Sequence, residues 1–520
     1  MADFIVSNSN DSGEGSLRNA IALANTSAGT DRIIVEVDKV ELQREIQISD
    51  SVEIEALEKA TISQTGEYRL FTITNNDDDS QIDVALSNLN LTNANPIEEN
   101  GGAIFSRENL SLNNVNIYRN KVTGLGGAIY SEGGSLRINS SELSKNNVDI
   151  EAEISAGGAI FHKGAGKLEL IDSAVRENLA LSDTITIVDS PSALISNTTI
   201  EDNIGSAVTV IGSEIEIKSS VINSNDTSFD GGGIFVDSSK AKIADTQISN
   251  NSGFYGGGVS VIAGYVELID SSVTGNFAKA DGGGLDIIDN STLLVSGSTI
   301  SDNSTSENNT AGISSFNAGA NTADLSSKIL VDKDSIVTDS VQENVEFVAS
   351  LTEARMNLSE IHRFYQYEKG FHFYTADNNE SNVIQEETAA GNLAYDYEGE
   401  SFAALSANTD SLTGELIEGA EEVYRFFNSN TGAHLFTMDE VEKDYIESTL
   451  DNYSYEGVAY YAFEEQHEKI DTIPVYRMYN GQTDTHLLTV DNNEVDYIQE
   501  NLSHFSLESN NGIAFYVMEV

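Results

Sequence analysis

The residues best suited to chemistry form a set of four that occurs three times between positions 361 and 520. In each copy a His lies nine residues after an Arg, a Thr follows three residues later, and an Asp two residues after that. Arg and His can donate hydrogen bonds to sugar hydroxyls, and the nearby aromatic residues offer faces for sugar stacking. The pattern therefore predicts three equivalent binding pockets. Its members are Arg363, His372, Thr375, Asp377, Arg425, His434, Thr437, Asp439, Arg477, His486, Thr489 and Asp491.

The same four residues also have a structural interpretation, which is favoured over binding. Arg and His can pair within each copy, and Asp before a helical stretch is a common N-cap. The third copy has Leu487 and Leu488 where the first has Phe373 and Tyr374. This difference weakens the threefold equivalence of any pocket.

Each copy is typical of a unit built from two strands, a short helix and a further strand. The copies span about 361–405, 423–465 and 475–520. Three such units favour a pseudo-threefold, β-trefoil-like module. The run Tyr-Arg-Phe-Phe-Asn-Ser-Asn-Thr-Gly-Ala-His-Leu-Phe-Thr, which begins at Tyr424, resembles a bacterial repeat family of unknown function on secreted and cell-wall-associated proteins. The resemblance implies attachment to a surface or a glycan.

A different repeat fills the first 345 residues. Gly-Gly blocks recur about every 25 to 31 residues, and between them an apolar residue is followed eight positions later by Asn. A period of this length, with short alternating strands, is typical of a right-handed parallel β-helix. The Gly-Gly blocks begin at Gly101, Gly126, Gly157, Gly231, Gly256 and Gly282, and the Asn residues are Asn120, Asn146, Asn178, Asn203, Asn225, Asn251, Asn276 and Asn303.

This β-helix is expected to span residues 1–345, and residues 346–360 are expected to form a linker. Its Asn residues would stack as a structural ladder of side-chain amides. An amphipathic stretch near 16–25, with Ser16 as N-cap, predicts a helix that caps the first coil. Asp172, Asp202, Asp245, Asp270 and Asp302 lie near the Asn turns. They suit either a Ca²⁺ site or a solvated acidic surface, and the second interpretation is favoured.

Two motifs connect residues 1 to about 340 with known β-helix proteins. The run Gly-Ser-Leu-Arg-Asn-Ala-Ile, from Gly15 to Ile21, resembles the Cys-Ser-Leu-Arg-Glu-Ala-Ile opening of bacterial extracellular β-helix proteins, although Gly15 and Asn19 replace its Cys and Glu. The Gly-Gly-Ala-Ile and Asn blocks resemble the repeats of polymorphic outer-membrane adhesins. The resemblance implies an extracellular β-helix and adhesion.

The amino-acid composition excludes several classes of partner and binding site. The chain has 84 Asp and Glu against 27 Lys and Arg, a formal net charge of -57, which repels nucleic acids and anionic membranes. The absence of Cys excludes disulfides and thiolate metal sites. No apolar stretch reaches the length of a membrane span, so membrane insertion is not expected. The first residues lack a signal-peptide pattern, which favours signal-less export of the type I kind.

These observations predict a secreted bacterial surface or matrix protein. The β-helix would be a spacer or adhesive surface, and the C-terminal module would bind a glycan, the cell wall or a surface protein. No phosphate loop, nucleophile elbow or zinc pattern is present, so we expect no enzyme. One alternative is a β-helix lyase or glycosidase that acts on polysaccharide. The other is a structural surface protein that self-associates through its β-helix ends.

Overall fold

A computed structural model describes the chain except residues 1, 78–79, 98, 152–154, 307–308, 317–326, 343, 349–354, 412–413, 468–469, 509 and 520. It divides into two compact units, residues 1–349 and 350–520. Of the expected linker, residues 349–354 lie outside the described residues. Val345–Val348 still belongs to a strand of the first unit, and the first strand of the second unit begins at Leu358.

The first unit is a right-handed parallel β-helix of about 12 turns. The strands of its first face are Asp3–Val6, Asp31–Val35, Val52–Gln64, Asp83–Thr92, Asn109–Asn113, Leu136–Asn139, Leu168–Ile171, Ala193–Ser196, Glu214–Lys218, Lys240–Ala244, Tyr265–Ile269, Thr292–Ser296, Lys328–Asp332 and Val345–Val348. The second face adds Lys39–Leu42, Asn116–Tyr118, Glu142–Ser144, Ala174–Arg176, Thr199–Glu201, Val221–Asn223, Gln247–Ser249, Ser272–Thr274, Thr299–Ser301 and Ile336–Val337.

The third face follows the Gly-Gly blocks, and short strands after the Asn residues lead into it. Its strands are Ile46–Ile48, Phe71–Ile73, Ile104–Ser106, Ile129–Glu132, Ile160–Lys163, Leu179–Val188, Ile204–Ile211, Ile234–Asp237, Val259–Ile262, Leu285–Ile288 and Ile313–Phe316. The short strands are Lys121–Val122, Asn147–Val148, Ser252–Gly253, Phe277–Ala278 and Ser304–Thr305.

Alternation explains why these segments form strands around one core. Inward residues at the same position of successive coils, such as Ile138, Leu170 and Ile195, are fully buried and pair in register. Burial of aliphatic side chains along the whole axis contributes roughly 1.5–3 kcal/mol per residue, before the entropy of ordering is subtracted. The strands therefore hold one continuous apolar interior.

Helix α1 (Leu17–Ala24) covers the N-terminal end of this interior. Ser16 is its N-cap and accepts a hydrogen bond from the backbone N–H of Asn19. Its buried residues Leu17 and Ile21 belong to the same apolar core as the coils. The first coil therefore does not leave its apolar interior open to water at this end.

The second unit contains three antiparallel sheets, each with a helix. Repeat 1 has Leu358–Gln366, Phe371–Thr375 and Tyr395–Leu405 with helix α2 (Asn378–Ala389). Repeat 2 has Ala420–Asn428, His434–Thr437 and Tyr453–Phe463 with helix α3 (Glu440–Thr449). Repeat 3 has Ile473–Asn480, Thr485–Thr489 and Ile513–Val517 with helix α4 (Asn492–Asn501), a short strand Phe505–Leu507 and a 3-10 turn Asn510–Gly512.

Equivalent residues of the three repeats meet around a pseudo-threefold axis. The rings of Phe402, Tyr460 and Phe515 form a triangle with centroids 6.0 to 6.4 Å apart. Neighbouring sheets touch through single residue pairs, Leu405 with Tyr461, Phe463 with Tyr516, and Ala403 with Met518. The unit is thus a closed ring held by its core. The predicted fold class, a β-helix followed by a β-rich module with short helices, is confirmed.

No helix within the described part of the chain is both long and apolar enough to cross a membrane.

Candidate functional site

The Thr and Asp residues of the threefold set begin the three helices. Asp377, Asp439 and Asp491 are the N-caps and accept hydrogen bonds from backbone N–H groups of the first helical turn. The backbone N–H of each Asp donates to the Thr two residues before it, at 3.0 Å for Thr375 and Thr437 and 3.1 Å for Thr489. These six residues therefore hold the strand-to-helix turns.

The Arg residues join each repeat to the next around the ring. Arg363 donates to both carboxylate oxygens of Glu494 in repeat 3, at 2.7 and 2.8 Å. Arg425 binds Glu380 of repeat 1 at 2.9 and 3.0 Å. Arg477 in turn binds Glu442 of repeat 2, at 2.9 and 3.1 Å. Each pair is bidentate, and together the three close the ring.

Each Arg also pairs with a Glu of its own repeat, which a His contacts as well. His372 lies 3.3 Å from Glu398, and His486 lies 3.2 Å from Glu508. Burial and the neighbouring Arg425 charge lower the pKa of His434 to about 4, so this imidazole is neutral at pH 7. Burial raises the pKa of Glu508, but its bond to His486 and the Arg477 charge outweigh that effect and lower it overall.

Sequence reasoning missed the six Glu partners. Glu380, Glu442 and Glu494 each lie three residues after the cap Asp, which is a capping-box position. Glu398 and Glu456 stand in the two Tyr-Glu-Gly runs, but Glu508 has no such motif around it. The spacing therefore carried a signal for five of them. It could not show that three pair with the following repeat.

A cavity of about 430 Å³ lies between repeats 3 and 1. The hairpin strands of both repeats and helix α4 form its walls. The rings of Tyr365 and His372 are tilted against each other with centroids 5.0 Å apart, and Tyr497 is 61% exposed. The lining residues are Tyr365, Gly370, Phe371, His372, Asn480, Gln482, Thr483, Thr485, His486, Leu487, Glu494, Tyr497, Ile498, Leu502, His504 and Phe505.

The residue that follows the His differs between the repeats, with Phe373 in the first and Leu435 and Leu487 in the other two. Between repeats 1 and 2, the Phe373 ring packs against His434 with centroids 5.2 Å apart, and Arg425 lies over the same ring. The equivalent neighbour of His372 is Leu487, a smaller side chain that lines the cavity. An aromatic ring therefore packs at the junction of repeats 1 and 2, although a separate cavity of about 410 Å³, lined by Thr375, Asp377 and Arg425 of the set, also lies between these repeats. Of the set, His372 and His486 line the cavity of about 430 Å³.

The eight Asn residues of the β-helix stack on one edge of successive coils. From Asn120 to Asn276, each amide Nδ2 donates to the Oδ1 of the next Asn at 2.8 to 3.0 Å. Asn303 ends the ladder by donating to Asp339 at 2.8 Å. A residue with positive φ precedes each Asn and turns the chain.

A second ladder of hydroxyl groups follows another turn, and sequence reasoning did not find it. Backbone N–H groups donate to the Ser or Thr oxygen of the next coil, for example from Thr246 to Ser271 at 3.0 Å. Its members are Ser141, Ser173, Thr198, Ser220, Thr246, Ser271, Ser298 and Ser335.

The five Asp residues considered for Ca²⁺ divide between the two ladders. The first group, Asp172, Asp245 and Asp270, precedes Ser or Thr residues, whereas Asp202 and Asp302 precede ladder Asn residues. Among the described residues, no group of three or more acidic or His side chains is arranged to hold a metal ion.

Two buried carboxyl groups on the third face of the β-helix, Asp183 and Asp286, remain as candidates. Asp286 is fully buried, bonds to Ser314 through Oδ1, and leaves Oδ2 without a partner. Burial raises its pKa well above the ordinary value, and the charges of Asp230 and Asp281 raise it further. Its lack of exposure leaves no route for a ligand, so we treat it as a stability feature.

Two family models match separate parts of the chain. Residues 158–329 match a family described as a right handed beta helix region, and residues 360–518 match a family described as a domain of unknown function, DUF5648. The comparison with curated proteins gives no match.

Solved structures similar to the chain include two modules of Azotobacter vinelandii enzymes. The A-module of mannuronan C-5 epimerase AlgE6 is 16% identical with a TM-score of 0.43, over 66% of this chain and 98% of that one. The AlgE4 A-module is 14% identical with a TM-score of 0.34, over 61% and 98%. ORF18 of Geobacillus virus E2 is 10% identical with a TM-score of 0.22, over 61% and 62%.

The prediction that the chain is not an enzyme is contradicted by these matches, because two of the similar structures are modules of polysaccharide epimerases. The prediction rested on missing motifs. A β-helix places side chains from separate coils on one face, so a catalytic group there needs no fixed spacing in the sequence. At 14 and 16% identity the matches assign no reaction to this chain.

Proposed function

We propose that the protein is an extracellular surface-binding protein whose three-repeat module binds a glycan in the cavity between repeats 3 and 1. The cavity is the observation that carries this proposal. Its volume suits one or two sugar rings, and it joins aromatic walls to polar side chains, as sugar-binding sites commonly do.

Two tyrosines would provide stacking surfaces. Tyr365 is half-buried beside His372, whereas Tyr497 on helix α4 is 61% exposed. An exposed aromatic ring at the mouth of a cavity can cover the apolar face of a sugar. The side chains of Gln482, Thr483 and Thr485 would exchange hydrogen bonds with its hydroxyl groups.

The location and the adhesive role of the β-helix rest on resemblance. Residues 1 to about 340 resemble extracellular β-helix proteins and polymorphic outer-membrane adhesins, which supports export and display at a surface. Ca²⁺ at the acidic turns belongs to the same proposal and is tested with it.

The test is a binding screen of the full chain against glycans and cell-wall fragments, with and without Ca²⁺. The affinity of any ligand found in this screen is then measured for the unchanged chain and for the Tyr497→Ala variant. We expect its affinity to fall about tenfold, since a stacked ring contributes roughly 0.5–1.5 kcal/mol beyond its burial.

The matched control is Tyr445→Ala. Tyr445 occupies the same position of helix α3 in repeat 2, is 56% exposed, and is absent from the cavity lining. It should bind as the unchanged chain does. Equal loss in both variants would place the ligand outside this cavity, and no binding to any glycan would reject the proposal.

A further inference from the structure

The cavity between repeats 1 and 2 has an excess of negative charge. Its volume is about 410 Å³, and its lining includes the carboxylates of Asp377, Glu380 and Glu456 together with one cation, Arg425. Arg425 donates to both oxygens of Glu380 and to one oxygen of Glu456. One guanidinium group therefore serves two carboxylates, and the third carboxylate, the helix cap, adds to the excess.

The neighbouring His434 does not offset this charge. Its Nε2 lies 3.1 Å from Glu456, but burial and the charge of Arg425 lower the pKa of His434 to about 4. The imidazole is therefore neutral near pH 7. Glu380 stays ionised there, because its hydrogen bonds to Arg425 outweigh the effect of burial and lower the pKa of this carboxyl group.

A buried hydroxyl group of the same cavity lacks a partner. Tyr460 lines the cavity and is 2% exposed, and its Oη has no hydrogen-bond partner in the described part of the chain. The equivalent residues around the pseudo-threefold axis are Phe402 and Phe515. The fold thus needs no oxygen atom at this position, and a buried hydroxyl without a partner costs free energy. A group that enters the cavity would supply the missing hydrogen bond.

Aromatic rings line the cavity beside this hydroxyl group. Tyr374 and Phe436 belong to the lining, and Phe436 stacks on Tyr460 with ring centroids 6.0 Å apart. Carboxylates and aromatic faces both attract an ammonium group, whose N–H groups donate hydrogen bonds to phenol oxygens. The equivalent cavity between repeats 2 and 3 has matching charged residues but is only about 220 Å³, and Met438 and Ile513 line it in place of aromatic rings.

We propose that the cavity between repeats 1 and 2 is a second binding site, which takes the ammonium group of an amino sugar. The ammonium group lies among the carboxylates and aromatic rings and donates a hydrogen bond to the Tyr460 oxygen. The volume accommodates a sugar ring, which favours an amino sugar over the single alkyl chain of a lysine. The inference does not rest on the glycan site between repeats 3 and 1, because the two cavities share no lining residue.

The experiment compares two sugars that differ in the charge of one nitrogen atom. Ligand-observed NMR titration of the full chain uses glucosamine and the neutral N-acetylglucosamine, at about pH 6, where the amine is protonated. Single sugars are used because a polymer with many ammonium groups would bind the acidic surface at any point. We expect glucosamine to bind about tenfold more tightly than N-acetylglucosamine, since a hydrogen bond to a charged group contributes enough for that ratio.

Tyr460→Phe tests the site with little risk to the fold, because repeats 1 and 3 have Phe at this position. The variant should bind glucosamine about tenfold more weakly. Its thermal midpoint without ligand should be unchanged or higher, since a buried hydroxyl without a partner is removed. Tyr461→Phe is the matched control, on the same strand but outside the cavity lining, and should keep the affinity.

Asp377→Asn removes one charge and keeps the helix cap, because Asn caps a helix as well as Asp does. We expect the affinity for glucosamine to fall about fivefold. Asp444→Asn removes the same charge from an exposed position of helix α3 outside the lining, and it should change the affinity less than about twofold.

Equal binding of glucosamine and N-acetylglucosamine would overturn the inference. Equal losses in the two Asp variants would overturn the location, because the ligand would then respond to the overall charge of -57. Tighter binding of Nα-acetyl-lysine amide than of glucosamine would overturn the choice of an amino sugar. Rejection of the glycan site between repeats 3 and 1 would leave this inference standing, because that site is tested separately through Tyr497.

Discussion

The two units of this protein join their repeats in opposite ways. The β-helix stacks coils in a line, and neutral Asn, Ser and Thr side chains connect each coil to the next. The three-repeat module closes into a ring, and Arg–Glu pairs cross each junction. A line of coils can use the same short bond at every step. A ring of three must also close between its last and first repeats, where Arg363 binds Glu494 and the 430 Å³ cavity lies.

The comparison predicts that removing one Arg–Glu junction of the module lowers the unfolding free energy more than removing one Asn of the β-helix ladder does. Arg425→Met removes the partner of Glu380 and Glu456, and the Arg425 side chain is only 19% exposed. We expect the module to lose about 3 kcal/mol of unfolding free energy, because a partly buried carboxylate loses its counter-ion. Calorimetric unfolding of the full chain measures the change.

Arg137→Met is the control for this loss. Arg137 pairs with Glu169 on the β-helix surface at 2.9 Å, but its side chain is 57% exposed. Its loss should cost less than about 0.5 kcal/mol. Similar losses in the two variants would mean that the ring gains nothing from its bidentate pairs.

Removing one Asn of the ladder in the β-helix should cause a somewhat smaller loss of unfolding free energy. Asn251→Ala removes the acceptor of the Asn225 amide and the donor to the Ile222 carbonyl. Buried polar groups left without partners cost about 1–3 kcal/mol, so we expect a loss of about 2 kcal/mol. Asn116→Ala, which removes an amide bonded to Asn90 on the outer surface, should cost less than half as much in urea unfolding.

The smallest expected effect is a gain in stability at pH 7. Because the pKa of Asp286 is raised on folding, this residue stabilises the β-helix below the ordinary carboxyl pKa, and that contribution is lost as pH rises towards the folded pKa. Asp286→Asn should therefore raise stability at pH 7, by about 1–2 kcal/mol, and should not do so near pH 3. If the variant instead lost a similar amount of stability at pH 7, the ionised carboxylate would be stabilising the fold.

The stability of the three-repeat module should depend on pH in the opposite direction to the contribution of Asp286 in the β-helix. The pKa of His434 is lowered to about 4 on folding, so its unfolded form binds a proton first as pH falls. The stabilisation it provides is present above about pH 6.5 and is lost between there and pH 4. Glu380 and Glu494, whose pKa values are lowered, add to the loss below about pH 4.5. Because the two pH dependences have opposite signs, the unfolding of each unit is followed separately.

Period and spacing were sufficient to predict the elements. The interval between Gly-Gly blocks predicted the β-helix, because one coil must return to the same face before the next begins. The distance from Arg425 to Asp439 similarly predicted the strand, turn and cap of each module repeat. At Gly126, φ is +75° and an added Cβ would lie 2.3 Å from the Ile129 carbonyl oxygen, which explains the glycine of the turn.

The site was harder to predict, because its walls come from different repeats. Arg363 and Glu494 are far apart in the sequence, and nothing near either residue indicates that they meet. The hydroxyl ladder was missed for a related reason. Thr198 and Thr246 replace Ser in it, and Ser is common elsewhere in the coils, so no single residue type marks the ladder.

The sequence by itself determined the repeats, the strands, the helix caps and the acidic surface, because each depends on neighbours within one coil or one repeat. Only the tertiary structure decided how the ring closes, which carboxylates the Arg residues bind, and where a cavity remains. These features depend on contacts between different repeats, such as Arg363 with Glu494, and no spacing within one repeat records which residues of the next repeat it will meet.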